Sequence, residues 1–249
     1  MRIVSWNVLI GGGLRIRSIV DCLLQRQPDV IVLQETLAKR EDALCGRLRD
    51  AGFSHHATAP RESGQRGLCV LSRHAFEVLD SPSHAALHTR GWLELRLPHA
   101  GIDVGAVYAP ASAPKLPAFW SAAQAWWPAC VDRPYLLIGD FNAGESHVDS
   151  NHRFQADAGM VALRNSGLVD AWRLMHRDKR EFTWHVTNRG KTFPFRLDHA
   201  FVSPALASQV SACTYDHTVR ETKLSDHSML LLDIDVAVAS PLAPIGEAS

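Results

Sequence analysis

Five oxygen-bearing side chains flank apolar runs at separated points of the chain: Asn7 after Ile3–Trp6, Glu35 after Val30–Leu33, Asp140 and Asn142 after Tyr135–Ile138, and Asp226 ahead of Ser228–Val236. A polar side chain at the end of a buried strand stands rigidly at the rim of a sheet, where it is both precisely placed and reachable. Glu35, Asp140 and Asp226 offer carboxylates, while Asn7 and Asn142 offer amide oxygens. That hard ligand set suits Mg2+ or Mn2+ and is too poor in Cys and His to suit Zn2+. Taken alone, Glu35 reads equally well as an exposed strand end capping the next helix; a buried carboxylate needs a partner, and the other blocks make a cation that partner.

Asp140 and Asn142 are two residues apart, so in extended geometry they point to the same side and one can act while the other positions. An Asx turn closing the strand is the alternative use of such a pair. His227 follows Asp226, and Asp198 precedes His199. A histidine oriented by a carboxylate is held as imidazolium or in one tautomer and can donate to a phosphate oxygen. His55, His56 and His99 carry no such signal, and the role of His199 stays open.

The elements that must hold these groups follow from periodicity. Arg2–Ser5 and Val30–Leu33 read as strands around a helix whose apolar positions are Ile16, Ile19, Val20, Leu23 and Leu24. Leu93, Leu95 and Leu97 alternate with charged residues, and Ile102–Val107 follows a turn at Gly101, which predicts a hairpin. Leu116, Phe119, Trp120, Ala123 and Trp127 share a helix face before Pro128, where core packing is favoured over base stacking. Helices are expected at 156–166 and 170–176, and strands at Phe182–His185, Leu197–Val202, Gln209–Thr214 and Ser228–Val236. Many adjacent, hairpin-like strands fit two sheets packed face to face better than a doubly wound parallel sheet.

The chain has 249 residues, 46% hydrophobic and 21% charged, as expected of one α/β domain spanning 1–236 with a disordered tail at 237–249. No apolar run approaches a membrane span, and the strand at Arg2 leaves no room for a secretory signal, so a cytoplasmic location is expected. Its five cysteines lack metal-ligand spacing and read as buried hydrophobes. Net charge is zero, so any phosphate-binding face depends on local cations, for which Arg61, Arg66, Lys191 and Arg196 are candidates.

The blocks SWN ending at Asn7, LQE ending at Glu35, GLCVLSR from Gly67, VYAP around Tyr108, GDFN from Gly139, RLDHAFVS from Arg196 and SDH ending at His227 run in order from Arg2 to about Val236. In this the chain resembles the endonuclease/exonuclease/phosphatase superfamily, more closely its exonuclease III and abasic endonuclease branch. The resemblance implies a four-layer α/β/β/α sandwich of two packed mixed sheets. It implies Glu35 as principal metal ligand with Asn7 and Asp226 completing or supporting the site, Asp140 as base, and Asn142 holding water or phosphate. Asp198 would orient His227. Tyr108 stands where this branch carries Tyr and other relatives carry His, and would donate to the phosphate or assist the leaving group. Trp184, Phe195 and Leu197 match segments that wall an abasic-sugar pocket, although two ordinary strands with core aromatics read almost as well; Arg66 would meet substrate. Ala111 replaces the Asn or Gln that the branch carries, so one phosphate-contacting amide is missing.

The implied activity is a Mg2+- or Mn2+-dependent phosphodiesterase, first a DNA endonuclease or 3′ exonuclease in repair, leaving 5′-phosphate and 3′-hydroxyl ends. Its expected partner is nucleic acid, DNA before RNA, bound by a monomer. Hydrolysis of a small or lipid-linked phosphate is the alternative within catalysis, and a non-catalytic binding protein on the same scaffold the alternative outside it.

Overall fold

The computed structural model describes residues 1–62, 64–80, 91–112 and 115–236. The expected disordered tail, 237–249, lies outside the described residues. Strands β1 (Arg2–Asn7), β2 (Val30–Leu37), β3 (His55–Thr58), β4 (Arg66–Ser72), β13 (Val210–Asp216) and β14 (Met229–Ile234) form one sheet in the order β13-β14-β1-β2-β4-β3. A second sheet has the order β5-β6-β7-β8-β12-β9, from β5 (Glu77–Leu79), β6 (Trp92–Leu97), β7 (Ile102–Tyr108), β8 (Tyr135–Asp140), β9 (Val169–Asp170) and β12 (Asp198–Val202). β10 (Trp184–Asn188) and β11 (Lys191–Phe195) pair as a separate antiparallel hairpin.

Among the described residues each large sheet contains one parallel pair, β1/β2 and β7/β8, and its other pairings are antiparallel. Counted outward from that pair, the two sheets repeat one plan. The layers follow from the period of two. Ile3, Val30, Val32, Val70 and Leu232 of the first sheet face Leu95, Val104, Leu136, Ile138 and Val202 of the second in a common core. On the far side of the first sheet, Val4, Trp6, Ile31 and Leu33 pack with Ile19, Leu23, Leu44 and Leu48 of helices Ile16–Gln25 and Ala38–Asp50. On the far side of the second, Val107, Tyr135, Leu137 and Phe201 pack with Phe119, Trp120, Met160 and Leu163 of helices Lys115–Trp126 and Asp157–Asn165. The result is the four-layer α/β/β/α sandwich, in which each buried aliphatic or aromatic side chain contributes roughly 1.5–3 kcal/mol. All five cysteines are buried and free, as the spacing implied.

The same alternation delivers polar groups to one end of the inter-sheet core. In β1 the inward series is Ile3, Ser5, Asn7; in β7 it is Val104, Ala106, Tyr108; in β8 it is Leu136, Ile138, Asp140; and β12 runs the other way with Val202, Ala200, Asp198. Register puts Tyr108 beside Asp140 and Asp140 beside Asp198. Close approach of β8 to β7 there requires Gly139, because a Cβ at that position would stand 1.9 Å from the Val107 carbonyl oxygen.

Candidate active site

Asn7, Asp140, Asp198 and His227 form a buried hydrogen-bonded cluster between the sheets. Asn7 Nδ2 donates to Asp140 Oδ2 at 2.9 Å, His227 Nδ1 meets Asp198 Oδ2 at 2.9 Å, and His227 Nε2 lies 4.0 Å from Asp140 Oδ2. The loop carrying His227 is tied down from below. Ser225 Oγ donates to the Asn7 carbonyl at 2.5 Å, and Trp6 Nε1 donates to the His227 carbonyl at 3.2 Å. Thr183 Oγ1 accepts from the backbone N–H groups of Leu197 and Asp198, and the Tyr215 hydroxyl donates to the Asp198 carbonyl at 2.7 Å. Ser225, Thr183 and Tyr215 are positioning residues that the motifs do not single out, although Ser225 opens the SDH block and Thr183 lies in the strand expected at Phe182–His185.

Burial disfavours the imidazolium of His227, but Asp198 and then Asp140 outweigh it and raise this histidine to about 10. Burial pushes the Asp140 carboxyl up to about 7 against the pull of His227, with Asp198 adding to the rise and the Asn7 amide opposing it. Between those values the cluster holds a cationic His227 beside an ionised Asp140. Tyr108 is raised above its ordinary phenol value by burial and by Glu35 and Asp140, so its hydroxyl remains a donor.

Glu35 reaches the cleft by a route that alternation does not foresee. With Val30 and Val32 inward and Ile31 and Leu33 outward, residue 35 belongs on the helix side. The pairing of β2 with β4 slips between Gln34 and Thr36, and Glu35 has φ of 60°, so a bulge turns its side chain toward the other sheet. There Glu35 Oε1 accepts from Tyr108 OH at 3.3 Å and from Arg66 Nη1 at 2.7 Å, and Oε2 accepts from Ile10 N–H at 2.9 Å. Leu9, Ile10 and Asn142 also have positive φ, at 50°, 53° and 46°. Each is clamped by a site residue: Leu9 N–H on Asn7 Oδ1, Ile10 N–H on Glu35, Asn142 N–H on Asp140 Oδ1. Strained backbone persists only where its surroundings over-determine it, and here those surroundings are the site.

Of the five oxygen ligands suggested by the sequence, the two amides are engaged in hydrogen bonds of their own. Asn7 Oδ1 is engaged by Leu9 N–H, and its nitrogen faces Asp140. Asn142 likewise donates, to the Ala109 carbonyl at 2.8 Å and Asp140 Oδ2 at 3.5 Å, and its N–H on Asp140 Oδ1 makes the Asx turn that was the alternative reading. The compact set of acidic and histidine atoms at the site is instead Asp140, Asp198 and His227, all within 4.8 Å of one another. A hard cation nonetheless fits this end of the cleft: Asp198 Oδ1 and Asp226 Oδ1 are buried oxygens without a hydrogen-bond partner among the described residues, and Asp140 adjoins Asp198, so the free donors are carboxylate oxygens and not sulfur.

Asp226 Oδ2 accepts from Trp184 Nε1 at 3.0 Å, and a bridge between Trp184 and His227 docks the β10–β11 hairpin beside the cluster. Trp184 pairs with Phe195, their rings 5.9 Å apart, and both are half-buried; Leu197 is buried and presents little surface to a ligand. Two candidate phosphate-binding cations are not available. Arg196 is 1% exposed and held by Asp149 and Asp170, and Arg61 is bound to Glu41 and Thr36. Arg66 and Lys191 are exposed. His199 points away from the cleft: its Nε2 lies 3.0 Å from the Ala143 carbonyl and 3.1 Å from that of Arg196, and its ring packs on Phe141 and Phe201, a structural role.

A carboxylate-rich cleft with one histidine, at one edge of a four-layer sandwich of two mixed sheets, defines the class to compare with. The Endonuclease/Exonuclease/phosphatase family model matches residues 4–227, and the chain belongs to that family. An AP endonuclease from Archaeoglobus fulgidus is 20% identical with a TM-score of 0.82, over 95% of this chain and 100% of that one. The 3′ phosphatase NExo from Neisseria, bound to product DNA hairpin, is 23% identical with a TM-score of 0.80, over 94% of this chain and 99% of that one. The 3′-5′ exonuclease NExo from Neisseria meningitidis is 24% identical with a TM-score of 0.78, over 94% and 100%. At these identities the likeness is one of fold. No curated protein sequence matches the chain. Among the described residues no helix is long and apolar enough to cross a membrane.

Proposed function

We propose that this protein is a divalent-cation-dependent phosphodiesterase acting on DNA as an endonuclease or 3′ exonuclease. The observation that carries the reading is a buried carboxylate, Asp140, fixed by amide donors and standing 4.0 Å from a histidine that Asp198 keeps cationic. A base poised near neutrality beside a permanent donor is the pairing that water attack on a phosphodiester needs.

Asp140 takes a proton from water as the water oxygen bonds to phosphorus in line with the departing 3′ oxygen. The P–O3′ bond breaks and the 3′ oxygen takes a proton from solvent or from Tyr108, which solvent then reprotonates, leaving a 5′-phosphate and a 3′-hydroxyl. His227 donates to a non-bridging oxygen as charge accumulates there, and Tyr108, held neutral, donates to the phosphate or to the leaving oxygen. Asn7 fixes Asp140 rather than ligating, and Asn142 holds the turn that orients it. Glu35 and Asp226, with Asp140 or Asp198 adjoining, would hold Mg2+ or Mn2+. When bound, that cation supplies electrostatic stabilisation of the phosphate and leaving oxygen. Trp184 and Phe195 form the apolar wall against which a sugar packs.

Purified protein with Mg2+ or Mn2+ should cut abasic, nicked or intact duplexes in preference to phosphoinositides and small phosphomonoesters, and chelator should abolish the cutting. Faster turnover of a phosphoinositide than of every nucleic acid, or full activity in excess chelator, rejects the proposal.

A further inference from the structure

Arg66 has no part in the chemistry above, yet it makes the strongest contact to Glu35. It opens β4 beside the bulge of β2, with Arg66 in register with Leu37, and its Nη1 donates to Glu35 Oε1 at 2.7 Å. The two side chains differ in freedom. Glu35 is pinned by the bulge, by Ile10 N–H at 2.9 Å and by Tyr108, with a side chain 10% exposed, whereas the Arg66 side chain is 46% exposed and can swing on its stem. A guanidinium on Oε1 neutralises the carboxylate and repels a dication at the same group. Guanidinium also matches phosphate oxygens in bidentate geometry, so a phosphodiester in the cleft is a second partner for which Arg66 can leave Glu35.

We propose that Arg66 is an internal competitor for the cation site: it occupies Glu35 until a phosphodiester draws it away, so that cation and substrate phosphate bind cooperatively. The proposal rests on Glu35 as a cation ligand. Because linkage is reciprocal, the coupling is visible in cation binding alone, without turnover.

The test is Mn2+ titration of the full-length protein by calorimetry, with and without dimethyl phosphate as a non-hydrolysed diester probe. Arg66→Met should bind Mn2+ at least about tenfold tighter than wild type. Wild type should tighten severalfold when dimethyl phosphate is added, a response that Arg66→Met lacks. Arg66→Lys keeps the charge and should stay near wild type, which separates competition from a packing effect. Glu35→Gln should lose binding in every background. If Arg66→Met binds Mn2+ no more tightly than wild type while Glu35→Gln abolishes binding, the competition is refuted and the cation reading of Glu35 stands. If neither wild type nor Arg66→Met binds Mn2+, both readings fall.

Discussion

Replacing Asp198 by Asn removes one charge from a buried pair and leaves the shape, so its effect should be written in pH. Burial alone would hold His227 neutral; Asp198 first, then Asp140, raise it from 6.5 to about 10. That rise corresponds to roughly 5 kcal/mol of preference for the imidazolium. If Asp198, 2.9 Å from Nδ1, supplies about half of it, the variant histidine titrates at about 8.2. Wild type then keeps His227 charged at pH 8.5, whereas only about one molecule in three of the variant does. The ratio of kcat/KM, variant to wild type, should therefore fall about threefold between pH 6.5 and 8.5, on top of a pH-independent loss from poorer orientation. Asp198 also helps to raise Asp140, so the variant ionises Asp140 at lower pH, which adds to the fall in the ratio below about pH 8. The ring 15N shift of His227 gives the protonation directly. Stability carries the same signature: a folded value above the unfolded one contributes fully below about pH 6.5 and is lost as pH rises toward 10, so Asp198→Asn should flatten the alkaline decline of wild type. On a His227→Ala background Asp198→Asn should be nearly silent. A kcat/KM ratio that does not change with pH refutes the assignment of Asp198 to His227.

Asp140→Asn should lower kcat at least about a hundredfold with the fold intact, and near-wild-type turnover would remove Asp140 as base. Glu35→Gln should sharply raise the Mg2+ concentration needed for half-maximal rate, read from metal titrations of activity. Trp184→Phe keeps an aromatic ring but deletes the N–H that meets Asp226 Oδ2 at 3.0 Å, so it should weaken Mn2+ binding severalfold in calorimetry while Tm barely moves. Arg196→Met should destabilise by about 3 kcal/mol at neutral pH in urea titrations, since it removes the buried cation that Asp149 and Asp170 share and leaves them Arg173 alone. Burial pushes Asp149 and Asp170 up, but Arg196 and its neighbours outweigh this and hold both below the usual range. Their stabilisation is full above about pH 4 and lost as pH falls through the lowered values, so the gap between wild type and variant should narrow at pH 3.

Much of this architecture is written in alternation and in the order of the blocks. The inward series ending in Asn7, Tyr108 and Asp140 is a period-two pattern, and a β12 read with the same period from Ala200 and Val202 sends Asp198 inward and His199 outward. The question left open at His199 was therefore answerable from its neighbours. Helix Ala38–Asp50 was harder to see, since only Leu44, Cys45 and Leu48 of it are buried and it follows β2 without a break. Arg61 and Arg196 misled because a cation reads as exposed until its carboxylates are known. Those partners, Glu41 for one and Asp149 and Asp170 for the other, come from distant segments.

Glu35 shows why the rest was not legible. No glycine or proline marks residues 34–36, and local rules give an unbroken strand with Glu35 under the helices. The bulge exists because long-range partners, Ile10 N–H, Tyr108 and Arg66, hold the carboxylate on the other side. The same holds at Leu9 and Ile10, each in a backbone region costly for its residue type and each fastened by a carboxylate or amide of the cleft, while Asn142, a type that tolerates that region, is fastened by Asp140. Local propensity and tertiary demand part company at these residues, and it is there that the candidate site lies. Arg66 makes the conflict consequential. It satisfies the carboxylate that the bulge exposes, so the energy that strains the backbone also prepares a charged group that a cation can take over and a phosphate can release.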